Sequence, residues 1–194
     1  MNFRNGLKGI NSWQNGDGDD WWGHRCHVVY RHHGHGKKPS IHVDKTADPK
    51  WVNEGSDETI TYTYKLTNTS KSAHDPLTVK WLVDDNGTPG DPSDDIKIVV
   101  NGVLQDGFTL TKTGGDQDNL LEKGETWTYT ASISAQNLNA GKLVNKVKVI
   151  AKDDECDIAV DTDKAKVKVK DVDPAVAIDK TASADGENFA DSVT

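Results

Sequence analysis

The chain has 194 residues and a formal charge of −8, with 34% apolar and 28% charged residues. That length holds one full domain with some extension, and the middle of the chain lacks the composition of a disordered segment. The negative surplus argues against nucleic acid or an anionic membrane as partner, because both are bound through an excess of Lys and Arg.

Residues 1 to 40 differ from the rest. They hold Trp13, Trp21 and Trp22, half of the six tryptophans, and five of the seven histidines. Glycine is frequent and no sustained period is present, so this stretch reads as an irregular arm or the end of a preceding module. Its start, Met1-Asn2-Phe3-Arg4, has no apolar core and shows no signal peptide. No run in the chain approaches the length of a transmembrane helix.

From Ile41 the pattern becomes β. "IHVDKTA" alternates from Ile41 and Val43, which puts Lys45 on the inward side. "ETITYTYKLTN" at 58–68 alternates strictly, with Ile60, Tyr62, Tyr64 and Leu66 on one face. Segments 77–83, 96–100 and 107–111 follow with turn residues between them. "ETWTYTASIS" at 125–134 then turns Trp127, Tyr129, Ala131 and Ile133 inward, and 142–151 and 163–172 close the set. No window of ten residues has a helical period. Short strands with frequent turns predict an all-β fold, a β-sandwich over residues 41–172.

"IHVDKTADPKW" at 41 returns as "VAIDKTASADG" at 176, with Asp44 and Asp179 separated by 179 − 44 = 135 positions. A period that long is a whole domain, so residues 173–194 read as the start of a second repeat.

Five carboxylates crowd "VDDNGTPGDPSDD" at 83–95. Ca²⁺ takes six to eight oxygens from such loops. Asp84, Asp85, Asn86, Asp91, Asp94 and Asp95 offer them, while Gly87, Gly90, Pro89 and Pro92 shape and stiffen the path. In a second loop Asp116, Asp118, Asn119, Glu122 and Glu125 are the candidates. One pair of strands separates the two loops, so both are expected at one end of the sandwich. Ordinary solvated turns are the alternative, since Asp, Asn, Gly and Pro dominate turns in any case. In the arm, Asp17, Asp19 and Asp20 form a third oxygen-rich turn. Beside it His24, His27, His32, His33 and His35 offer imidazoles suited to Zn, Cu or Ni, without a recognised tetrahedral spacing.

Enzyme motifs are missing. There is no glycine-rich phosphate loop, no G-x-S-x-G and no H-E-x-x-H, and the carboxylates sit in turns where no glycosidase pair can be picked out. No C-x-x-C-H is present to attach a c-type haem. The two cysteines, Cys26 and Cys156, either pair in an oxidising compartment or stand as unrelated thiols. The tryptophan-rich arm keeps a carbohydrate- or metal-binding module open.

The ordered run "DKTADP", "ITYTYKLTNTS", "VDDNGTPGDPSDD", "DQDNLLEKGETWTYTASI" and "GKLVNKVKV" resembles the DUF11 and DUF7507 repeats of bacterial and archaeal surface proteins, over roughly residues 41 to 171. The second loop departs from the usual pattern: "GGDQDNLLEKGE" lacks the central Gly and carries Lys123. The resemblance implies an Ig-like Greek-key sandwich, export to the cell surface, and a structural role in a fibre, adhesin or envelope layer without catalysis. Neighbouring copies of the module, and a surface glycan or protein receptor, would be its partners. In such modules a lysine of the first strand is sometimes joined covalently to an asparagine near the last strands, and Lys45 and Asn145 occupy suitable elements. A second assembly mode is a filament subunit whose "PAVAIDKTA" at 174–182 adds as a strand to a neighbour's sheet.

Overall fold

The structure is a computed structural model that describes residues 38–72 and 75–180. Among these residues ten strands follow in chain order: β1 (Ile41–Asp48), β2 (Trp51–Asn53), β3 (Thr59–Asn68), β4 (Thr78–Asp84), β5 (Ile96–Val100), β6 (Val103–Leu104), β7 (Thr109–Thr113), β8 (Thr126–Ser134), β9 (Gly141–Lys152) and β10 (Ile158–Lys170). No helix occurs among the described residues. The strands make two sheets, β1-β3-β8-β7 and β2-β10-β9-β4-β5-β6. With β1 and β2 as the two halves of a first strand, this is the order of a variable-type immunoglobulin sandwich.

The first strand belongs to both sheets. β1 runs antiparallel to β3, and after Pro49, which cannot donate to a ladder, β2 lies parallel to β10. Each sheet turns its apolar residues inward at period two. Ile60, Tyr62, Tyr64 and Leu66 of β3 are fully buried, as are Val147, Val149 and Ala151 of β9 and Leu82 of β4. One contiguous core fills the space between the sheets. The exposed edge of β1 is closed by side chains from β10: the Asp161 carboxylate accepts from the Val43 N–H at 2.9 Å and the Asp163 carboxylate from the Lys45 N–H at 2.7 Å. Those donors would otherwise be a template for another strand.

Two features lie outside the alternation read from sequence. The ladder between β4 and β9 shifts register between Val79 and Trp81. Strict alternation from Leu77 would point Val83 inward and Asp84 outward. The bulge reverses the parity beyond it, so Leu82 and Asp84 are the buried residues. The second feature is the two-residue strand β6, which returns antiparallel along β5. That extra reversal sends β7 the other way along the sandwich and puts the two acidic loops at opposite ends. The loop before β8 is pinned beside the start of β4 by paired Leu77 and Leu121 backbones. The loop after β4 leaves from the far end, where Asp85 binds the Lys146 backbone. The expectation of a shared end is therefore corrected, because so short a strand carries no periodic signal.

Candidate cross-link site

Among the described residues six polar or charged ones are buried, and three of them meet between the two sheets: Lys45 of β1, Asp84 of β4 and Asn145 of β9. The side chains of Lys45 and Asp84 are both fully shielded from solvent. Lys45 Nζ donates to Asp84 Oδ2 and also to Asn145 Oδ1, two contacts tighter than ordinary hydrogen bonds. Asp84 is held from two further sides, by the Tyr64 hydroxyl on Oδ2 at 2.5 Å and the Asn86 N–H on Oδ1 at 3.1 Å. The lysine reaches this point because alternation turns it inward while Asp163 fixes its backbone N–H. Its amine lies 4.4 Å from the centre of the Tyr62 ring and 5.4 Å from that of Tyr64, so aromatic faces wall it from water.

Burial dominates the electrostatics. It drives the Lys45 ammonium below its ordinary range, an effect only partly offset by Asp84 and, at longer range, by Asp85 and Asp163. Burial likewise pushes the Tyr62 phenol up to about 12 and raises Tyr64 further, the Asp84 charge adding to both. One polar group is left over. Asn145 Nδ2 is buried without an acceptor in full hydrogen-bond geometry, and the nearby Tyr62 hydroxyl, which feels only a weak pull from that amide, is likewise without a full hydrogen bond. An orphaned amide donor of that kind costs about 1–3 kcal/mol. A desolvated amine therefore lies against the carboxamide of an asparagine whose –NH₂ has no partner, with an acid touching both the amine and its surroundings. Such an arrangement suits acyl transfer from the amide to the amine.

Sequence reading named Lys45 and Asn145, and the structure brings them together. It missed Asp84 in this role because the bulge hides its parity, and it assigned that residue to the acidic loop instead. Tyr62 and Tyr64 were legible as inward residues but not as the walls of a polar centre.

The other candidates are distributed differently. In the loop after β4, Asp85 Oδ1 accepts from Gly87 N–H and Lys146 N–H at 3.0 and 2.8 Å. Asp91 is engaged by Ser93, and Asp94 by the Thr88 hydroxyl at 2.7 and 2.8 Å. Asn86 takes a left-handed backbone with φ of 50°. No three carboxylates of this loop bring their oxygens together. In the loop before β8, Asp116, Glu122 and Glu125 each place one carboxylate oxygen within 4.8 Å of the others, the one such acidic group among the described residues. Asp118 turns back to cap Leu120 N–H at 2.6 Å, and Asn119 Oδ1 receives Lys112. Glu125 is buried and accepts from Gln117 N–H, Glu122 N–H and Trp127 Nε1–H at 3.2–3.3 Å. Gly115 makes room for it: with φ of +49°, a Cβ there would sit 2.0 Å from Glu125 Oε1. The charge of Asp116 raises the Glu122 carboxyl above its usual range. Cys156 occupies a turn at φ of 72°. Its proposed partner Cys26, with Asp17, Asp19, Asp20, His24, His27, His32, His33 and His35, lies outside the described residues.

No family model matches the chain, and no curated protein matches it. Among solved structures the chain is similar to the ApaA protein of Bordetella pertussis, with 12% identity over 68% of this chain and 93% of that one, at a TM-score of 0.36. It is also similar to a PapD-like domain of human CEP192 (10% identity, 75% and 95% covered, TM-score 0.37). A third, the sporulation control protein Spo0M of Bacillus subtilis, gives 10% identity and a TM-score of 0.34; the match spans 68% of this chain and 49% of Spo0M.

Proposed function

We propose that this chain is a load-bearing Ig-like module of an extracellular surface protein, locked by an isopeptide bond between Lys45 and Asn145. The observation that carries this reading is the buried contact of a lysine in one sheet with an aspartate and an asparagine in the other. Uncatalysed, a lysine and an amide do not react. Here burial favours the neutral amine, whose lone pair attacks Cγ of Asn145. The Nζ–Cγ bond forms and the carbonyl pair moves onto Oδ1. Asp84, having taken a proton from the amine, delivers it to Nδ2, the carbonyl reforms, and the Cγ–Nδ2 bond breaks to release ammonia. The buried donor without a partner leaves as the product, which removes its cost. The new amide joins residues separated by 100 positions and ties one sheet to the other. Force entering at β1 would then pass covalently to β9, bypassing most of the hydrogen-bond ladders.

Intact-mass spectrometry of the whole protein tests this. The wild type is expected about 17 Da below its calculated mass, the ammonia lost, and Asp84→Asn at full mass with a similar fold. A wild type at full calculated mass rejects the cross-link.

Calcium is proposed only at Asp116, Glu122 and Glu125, because their oxygens converge and repel one another. Melting with a chelator and with Ca²⁺ restored tests it, an unchanged midpoint being the adverse result. The filament reading keeps one supporting fact: Val176 and Ile178, in the stretch that repeats β1, are 87% and 89% exposed. Sedimentation at increasing concentration separates a monomeric spacer from an assembling subunit.

A further inference from the structure

The outer face of the larger sheet has a charge pattern that its own fold does not explain. On β10, Lys164, Lys166, Lys168 and Lys170 occupy every second position, and Lys164, Lys166 and Lys168 are exposed. On the neighbouring strand β9, exposed Lys142 stands directly opposite Lys168, and exposed Lys146 directly opposite Lys164. Like charges placed opposite one another across a ladder are destabilising. Among the described residues no carboxylate forms an ion pair with them: the two ion pairs involve His42 and Lys45. A chain with a surplus of acid has thus gathered its positive charge into a ladder of self-repelling pairs. Local arrangements that cost stability without a structural return mark functional surfaces.

The lower end of the ladder is a shallow depression of about 820 Å³, bordered by Lys50, Lys142, Lys166, Lys168 and Lys170. Trp51 of β2 pairs with Lys168 in register and remains 47% exposed, with Lys170 Nζ 3.1 Å from its ring centre. One carboxylate, Asp171, reaches the rim. It is hydrogen-bonded to Glu54, which also takes the Val172 and Ala140 N–H groups.

We propose that this face binds a linear acidic polysaccharide, its carboxylate or sulfate groups seated along the lysine rows and a sugar ring lying against Trp51. Charge complementarity and row spacing favour that partner. Lysines two residues apart on a strand are spaced by about 6.5 Å, a pitch open enough for charges carried by successive sugars. A nucleic-acid duplex, with one charge per roughly 1.7 Å, would bring a far denser negative field against an acidic protein. The open, flat face suits an extended chain, and an exposed indole offers the apolar surface that sugar rings cover.

The test uses the full chain with two probes, heparin as a sulfated glycan and polygalacturonate as a carboxylated one, measured by calorimetry at several salt concentrations. Binding that weakens steeply with salt is expected. Lys166→Glu with Lys168→Glu should weaken it at least tenfold, Trp51→Ala several-fold, and Lys65→Glu on the opposite sheet not at all. The double variant should melt no lower than wild type, since Lys168→Glu turns the like-charge pair with Lys142 into an opposite-charge one and Lys166 faces the uncharged Val144, so loss of binding cannot be ascribed to unfolding. Absence of binding to both glycans at low salt overturns the proposal. So does equal binding by the double variant, or duplex DNA binding as tightly as the glycans with Trp51→Ala without effect. Salt-sensitive self-association without glycan binding also overturns it, in favour of the acidic loops of a second copy.

Discussion

The buried centre and the loop before β8 are both built from acids and their neighbours, yet they do opposite things with charge. At the centre one carboxylate, Asp84, serves an amine, a phenol and a backbone N–H in a space without water. In the loop an exposed Asp116 and a buried Glu125 face the half-buried Glu122 and raise its proton affinity. Low dielectric makes the first arrangement decisive, since an unpaired charge there is very costly and every contact is strong. Solvent makes the second one mild. Density of acidic residues is thus a poor guide to where electrostatics matters in this molecule; burial is the better one.

The largest effect expected to separate the two regions is loss of the proposed cross-link. Asn145→Ala leaves the Lys45–Asp84 pair in place but removes the acyl group. Closing a loop of about 100 residues is worth roughly 4–5 kcal/mol by chain entropy. In a protein of this size that lowers the melting midpoint by roughly 10–20 °C, read by calorimetry. A variant that melts like the wild type would mean that no bond forms, whatever the contact.

Alkaline pH probes the same centre without mutation. Tyr62, Tyr64 and Tyr129 all have phenols raised above their ordinary value of 10.0 by burial. The folded state therefore holds protons that the unfolded chain releases, and stability falls as pH rises past 10. For Tyr62 the window runs from 10 to about 12. Ultraviolet titration is expected to show these three of the four tyrosines ionising only at the top of that range, beyond it, or on unfolding. Ordinary titration near 10 would mean that the centre admits water. At the edge of β1, Asp163→Ala leaves the Lys45 N–H unpartnered, a loss of about 1–3 kcal/mol. A urea midpoint at unchanged slope measures it, and mass spectrometry of freshly refolded protein should show slower loss of ammonia.

Alternation made much of this legible. Lys45 inside β1 and the aromatic face of β3 follow from counting by twos, while Asn145 is reached through the resemblance to surface-protein repeats. Asp84 did not, because a bulge at Val79–Trp81 inverts the count, and a bulge has no residue signature in "LTVKWLVD". The relative placement of the acidic loops failed for a related reason: a two-residue strand changes the parity of the whole path. The lysine ladder was visible as "DKAKVKVKD", but its meaning depends on which strand lies beside it, and register is not written in composition.

The smallest effect belongs to the acidic loop, and it sharpens the contrast because its sign is unusual. Glu122 is raised mainly by Asp116 and secondarily by its own burial and by Glu125. A raised carboxyl binds protons more readily in the folded state than in the unfolded one. Its contribution is therefore present at acidic pH and is lost as pH climbs through its folded value, opposite to a salt-bridged acid. Glu122→Gln abolishes that repulsion, so in chelator at pH 7 the variant should melt slightly higher than wild type. With Ca²⁺ restored the order should reverse, since the wild type keeps three converging carboxylates and the variant two. Parallel melts of the two proteins, with and without the ion, read both signs at once. A variant that melts lower in chelator would show that Glu122 supports the turn through contacts rather than opposing it through charge.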